Sequence, residues 1–181
     1  MAVRRQGVLL AVLLNPPASS SGARSRRAAQ RAAEVLGYDC CEIANLFAEP
    51  TATVVDLNLL GAGLGLWAPV RQRLSEQIRG AGGVLAAWGV AGASGTLRRE
   101  RDLRGAWVAA EAGRVGHEQI WTVGGAPRHP SRWHQYVADR HGRTLGGTFE
   151  ERLTQVLTAT PLLVQPHAQA SGRPHRGALT R

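Results

Sequence analysis

The chain has 181 residues, 44% of them hydrophobic, which is room for one domain of ordinary size with a buried core and no disulfide staples. Its formal charge is +9, from 22 basic and 13 acidic residues, and every basic residue among the 22 is Arg. The absence of Lys excludes a Walker-type phosphate lysine, a Schiff-base lysine and a pyridoxal lysine, while permanently charged planar guanidinium groups suit phosphate.

The first apolar run, Gly7 to Leu14, is too short for a membrane helix, which needs about twenty apolar residues, and it stops at Asn15-Pro16-Pro17. Continuous apolarity bounded by a turn signal predicts a strand covered on both faces of a parallel sheet. A small-residue loop, Ser19 to Gly22, leads to an amphipathic helix from Arg24 to Leu36 with Gly37 as its stop. Cys40 to Ala44 is predicted as the second strand, running into Asn45-Leu46-Phe47, and Trp67 to Arg79 as a helix closed by Gly80. Val84 to Trp88, ended by Gly89, repeats the form of the first strand. A helix over Leu97 to Ala112 despite Gly105, a strand at Gln119 to Val123, a loop from Gly124 to Pro130 and a short helix over Phe149 to Leu157 complete the order.

Strands alternating with helices predict a three-layer α/β/α domain around a mostly parallel sheet, over residues 1–159. From Thr160 to 181, Pro, Gly, His and Arg without periodicity predict a disordered basic tail. Cys40 and Cys41 are adjacent, so they bridge each other poorly and supply too few ligands for zinc; a reducing, cytoplasmic setting is expected. No membrane contact and no obligatory protein partner is expected.

Ligands of an open parallel sheet sit at the carboxyl ends of its strands. That rule gathers Asn15, Asn45 with Phe47, Trp88 with Gly89, and Arg128-His129-Pro130-Ser131 on one rim. Each has a plainer reading. Asn15 before Pro can initiate a turn, Asn45 can end a strand, Phe47 and Trp88 can be core, and His129 can cap a helix starting near Ser131.

Leu13-Leu14-Asn15-Pro16, Leu36-Gly37-Tyr38, Asn45-Leu46-Phe47-Ala48, Ala86-Ala87-Trp88-Gly89 and Pro127-Arg128-His129-Pro130 together resemble a bacterial and phage family of unassigned function, over residues 8–135. That family has an L-N-P-S start, a G-Y-G, an N-L-F-A, an A-W-G and a closing K-P-x-H-P. The chain departs from it at Pro17, where the family has Ser, and at Ser19-Ser20-Ser21-Gly22, where the family has acids. The motif order is also similar, more distantly, to the uracil-DNA glycosylase superfamily. That resemblance implies Asn15 as the water-positioning residue, Asn45 as the reader of the base edge, Phe47 as the aromatic stacked on the base, and His129 as the catalytic residue of an H-P-S loop; Trp88, from its place on the rim, is expected to be a second base-binding aromatic. It further implies Trp133 as the wedge that fills the gap left by a flipped base; flipping also needs groups on the phosphates, for which Arg128, Ser131 and Arg132, with Arg98 and Arg99 as further cations, are the candidates.

The chemistry asks for such groups. Cleaving an N-glycosidic bond needs an anion stabiliser near the departing base and a positioned water near C1′. A carboxamide at 15 orients water but is no strong base, so Asp39, Glu42 and Glu49 are the nearby acids that matter if folding brings one to the pocket. The expected activity is that of a metal-independent, cofactor-free, monofunctional DNA glycosylase acting on a flipped and possibly modified pyrimidine and leaving an abasic site. The alternatives are a non-catalytic nucleic-acid-binding module and a hydrolase or transferase for free nucleosides or nucleotides.

Overall fold

The computed structural model describes residues 5–19, 22–60, 66–137 and 147–162. Five strands form one sheet: β1 (Val8–Leu13), β2 (Cys40–Asn45), β3 (Gly83–Ala86), β4 (Gln119–Val123) and β5 (Leu157–Pro161), in the order β2-β1-β3-β4-β5. The first four are parallel, and β5 pairs antiparallel with β4. The helices are α1 (Ala23–Leu36), α2 (Val54–Leu59), α3 (Trp67–Gly80), α4 (Gly95–Arg114), α5 (His134–Val137) and α6 (Phe149–Val156), with a 3-10 turn at Pro130–Arg132.

Alternation along β1 explains the layers. Leu10, Val12 and Leu14 pack with Leu57 of α2, Leu74 and Ile78 of α3, and Leu97, Val108 and Ala112 of α4. Leu9, Ala11 and Leu13 pack with Ala29, Ala32 and Ala33 of α1, Val137 of α5, and Leu153 and Val156 of α6. Both faces of the strand are therefore buried, as its unbroken apolar run requires. The small Ala face of α1 lets that helix lie close to the sheet.

The sequence reading meets two differences. β3 is regular only to Ala86, although Ala87 N–H still donates to Val12 O at 2.9 Å. At the other edge, β5 continues to Pro161, and Leu162 N–H donates to Glu118 O at 2.8 Å, so the ordered sheet runs past Thr160. The remaining tail, 163–181, lies outside the described residues. Among the described residues no helix is long and apolar enough to cross a membrane.

Candidate functional site

The topology does bring the four segments to one rim. Asn45 ends β2 in register with Leu13, Asn15 stands two residues past β1, Trp88 two past β3, and His129 lies in the loop after β4. From β2 to β4 there are three strand spacings, about 14 Å. The rim is thus wide, and its two ends differ in character.

At the β2 end the polar groups are tied to the protein. Asn15 Nδ2 donates to Pro16 O at 2.9 Å, Thr51 Oγ1 at 2.9 Å and Glu49 O at 3.4 Å. Thr51 N–H donates to Pro16 O, and Ala18 N–H to Thr51 O, both at 3.2 Å, which completes a staple between the loops after β1 and β2. All three Asn15 bonds use the amide nitrogen, so its oxygen is the atom suited to orient water. Asn45 Oδ1 is buried without a hydrogen-bond partner among the described residues, as is Glu49 Oε2. Of the three acids considered, Glu49 alone reaches the rim. Asp39 accepts from Gly7 N–H at 2.8 Å at the opposite end of the sheet, and Glu42 is exposed within β2, the edge strand.

Three aromatic assignments are corrected. Phe47 is wholly buried, its ring 4.1 Å from the Arg104 guanidinium carbon, which also lies 4.8 Å from the Trp67 ring. Arg104 itself is 2% exposed and donates from Nη1 to Leu46 O at 2.9 Å. Burial pushes its pKa down, while Glu100 and Glu49 oppose that shift. Trp88 is 8% exposed and faces Gly105 of α4 rather than a ligand space. Trp133 is 0% exposed, and its Nε1–H donates to Arg128 O at 2.7 Å, so the indole belongs to the core beneath α1 and α6 and cannot act as a surface wedge. In each case an apolar ring found more area to bury against the sheet than at the rim.

The β4 end is more open. Gly89, at φ 87°, donates its N–H to Pro127 O at 2.6 Å, and a Cβ there would stand 3.4 Å from His129 Cβ. The left-handed backbone is what calls for glycine here; a side chain's Cβ would meet His129 only at ordinary contact distance. His129 caps the 3-10 turn: its Nδ1 lies 2.9 Å from Ser131 Oγ and accepts from Ser131 N–H at 3.3 Å. Accepting at Nδ1 places the neutral ring's proton on Nε2. Burial, and then the nearby Arg132 charge, lower the His129 pKa below the usual histidine value, which keeps the ring neutral. Ser131 and Arg132 are exposed. Arg128 is corrected: its guanidinium is stacked 3.8 Å over the Tyr136 ring and donates to the Tyr136 hydroxyl, so it braces the loop instead of extending to solvent.

Beside this end lies a cavity of about 230 Å³ lined by Arg24, Arg27, Ala28 and Arg31 of α1, Pro130 and Ser131 of the turn, His134 and Phe149. From the sequence, the α1 arginines were only the polar side of an amphipathic helix. Their recurrence at i, i+3 and i+7, which aligns them on one side of the helix, was the available signal. A larger groove of about 640 Å³ lies between α3 and α4, where Trp67 and Trp107 meet edge to face at 5.3 Å and Arg71 covers Trp107. Neither cavity is lined by Asn15, Asn45 or His129.

Cys40 and Cys41 are free, and burial pushes the Cys41 thiol up to about 11, the reverse of what a cysteine nucleophile needs. Among the described residues no group of three or more His, Cys, Asp or Glu side chains is placed to hold a metal ion. Compared with protein-family models, with curated proteins and with solved structures, the chain matches none.

Proposed function

We propose that this chain is a monofunctional DNA glycosylase that hydrolyses the N-glycosidic bond of an extruded, modified pyrimidine and leaves an abasic site. The observation that carries the reading is His129: a ring kept neutral, oriented through Nδ1 by Ser131, its Nε2–H without a partner among the described residues, at the carboxyl end of a parallel sheet beside an arginine-lined cleft. A donor of that kind stabilises negative charge as it develops on an oxygen of the departing base, and does so without first losing a proton of its own. Across the rim, Asn15 Oδ1 orients the attacking water and Asn45 reads the base edge. Glu49 is the acid positioned to help, by holding the water or the positive charge that grows on the sugar. With no Lys, no imine forms through a lysine, and the product is the intact abasic strand.

The test is release of free bases from DNA carrying uracil, mismatches or phage-type modified pyrimidines, read by mass spectrometry. His129→Ala is expected to lower release by about 10²- to 10³-fold, the usual effect of losing one such donor, while DNA affinity stays the same. Normal DNA binding with no base freed from any substrate in the panel overturns the reading.

One set of observations favours a second reading, a nucleic-acid-binding module without chemistry. Phe47, Trp88 and Trp133 are all spent on the core, leaving none of the three expected rings to stack on a flipped base. Under that reading His129→Ala removes no activity because there is none to remove.

A further inference from the structure

We propose that the cleft between α1 and the Pro130–Arg132 turn is a phosphate track that seats the backbone of one DNA strand beside His129. The inference rests on the DNA-directed reading above and adds a binding surface to it.

Arg24, Arg27 and Arg31 lie on one helix face, the outer two seven steps apart, about 10 Å, or about three nucleotide steps along one strand. The opposing wall supplies His134, able to donate to a phosphate oxygen, while the one hydroxyl proton of Ser131 is engaged by His129 Nδ1. Among the described residues no carboxylate lines the cleft. The one beside it, Glu150, pairs with Arg31 at 3.2 Å, and the Arg31 guanidinium also lies 5.4 Å from the Phe149 ring, which fixes that side chain in place. Arg24 and Arg27 are exposed and form no ion pair among the described residues. Arg31 is compensated by Glu150, but Arg24 and Arg27 face the same cleft with no ion-pair partner among the described residues, and a polyanion relieves their mutual repulsion.

A general solvated arginine surface looks different. Arg98 and Arg99 of α4 are equally exposed, yet they line neither cavity and lie on the helix that covers the other face of the sheet. The α1 cleft is also continuous with the catalytic candidate, since Ser131 belongs both to its wall and to the hydrogen-bonded pair that orients His129.

The experiment measures binding of the full chain to an unmodified fluorescent oligonucleotide, as single strand and as duplex, by anisotropy between 50 and 200 mM salt. Arg24→Ala with Arg27→Ala, checked by thermal unfolding to be folded, is expected to reduce the slope of log affinity against log salt by about 2. The charge-matched pair Arg98→Ala with Arg99→Ala is expected to leave the slope unchanged. Inorganic phosphate and a mononucleotide at matched ionic strength are expected to displace the oligonucleotide no better than chloride does. The track is overturned if wild-type protein binds no oligonucleotide, if both double variants lose the same slope, if the α1 variant loses none, or if mononucleotide competes as well as DNA. The glycosylase reading fails separately: a slope lost in the α1 variant with no base released from any DNA keeps the track and removes the enzyme.

Discussion

Gly105, in the interior of α4, sets two known effects against each other. Replacing it with Ala improves helix propensity by about 1 kcal/mol, because glycine gives up more backbone freedom on folding. The new methyl group, however, would sit 2.7 Å from Trp88 Cζ2 and 2.9 Å from Cε2, whereas carbon atoms at rest lie about 3.5–4.0 Å apart. The indole must therefore move by close to 1 Å in a core where it is 8% exposed. Overpacking of this kind costs about 1–3 kcal/mol, so the clash wins and Gly105→Ala is expected to be destabilising by about 1 kcal/mol net. In a chain of this size that lowers the thermal midpoint by about 2–4 °C, measurable by circular dichroism. The sign reverses when the indole is gone: in a Trp88→Leu background, Gly105→Ala is expected to raise the midpoint, because only the propensity gain is left. The cycle then gives a coupling energy of about 1–3 kcal/mol. A midpoint raised by Gly105→Ala in the otherwise native chain refutes the reasoning and detaches Trp88 from α4.

Two further predictions use other buried contacts. Trp133→Phe removes the 2.7 Å bond to Arg128 O and leaves that carbonyl unsatisfied, so the urea midpoint is expected to fall by the equivalent of about 1–3 kcal/mol with DNA binding by the folded fraction unchanged; an unchanged midpoint with lost binding to duplex alone would return the indole to the DNA. Glu111 is held down to about 2 from 4.5, first by its hydrogen bonds from Arg114 and also by that from Ser75 at 2.5 Å, against the opposing effect of burial. Because its folded pKa is depressed, its contribution is present above pH 4.5 and lost as pH falls towards 2. Glu111→Gln is therefore expected to cost about 1–2 kcal/mol at pH 7, discounted for the solvent-exposed Arg114 partner, with the gap to wild type closing across that acid range. Parallel stability curves from pH 7 to pH 3 would show that the ion pair carries none of it.

Much of the fold was legible because its signals were local. The unbroken apolar runs at β1 and β3 could only be strands buried on both faces, and Gly37 ended α1 where expected. α2 was missed although Thr53 and Asp56 form a capping box visible in the sequence; six residues give too little apolar periodicity to notice it. β5 was missed for a related reason. An exposed edge strand alternates weakly, and Leu157-Thr-Ala-Thr-Pro161 buries little on either side. At the site, chain order placed Asn15, Asn45 and His129 on one rim, since parallel topology dictates it. Side-chain direction was beyond reach. Whether Phe47 or Trp133 faces a ligand or the core depends on which helix covers it, and the two rings are claimed by Arg104 and by the Arg128 carbonyl, partners 57 and 5 residues away respectively in the chain.

The rim's two halves also assign different duties to its polar groups. Around Asn15 and Thr51 the hydrogen bonds run between loops, so a substitution there shifts backbone before it touches any ligand. Around His129 the bonds stay within the turn, the ring's second nitrogen has no hydrogen-bond partner among the described residues, and the neighbouring cations Arg132, Arg27 and Arg24 are exposed. Chemistry that needs a fixed donor and an accessible polyanion is therefore better served at the β4 end. The fixed half supplies what the open half lacks, loops tied to each other by hydrogen bonds at the β2 edge, about 14 Å from β4. Under the proposed reading, this separation of rigidity from access lets a loop donor such as His129 act without reorganising.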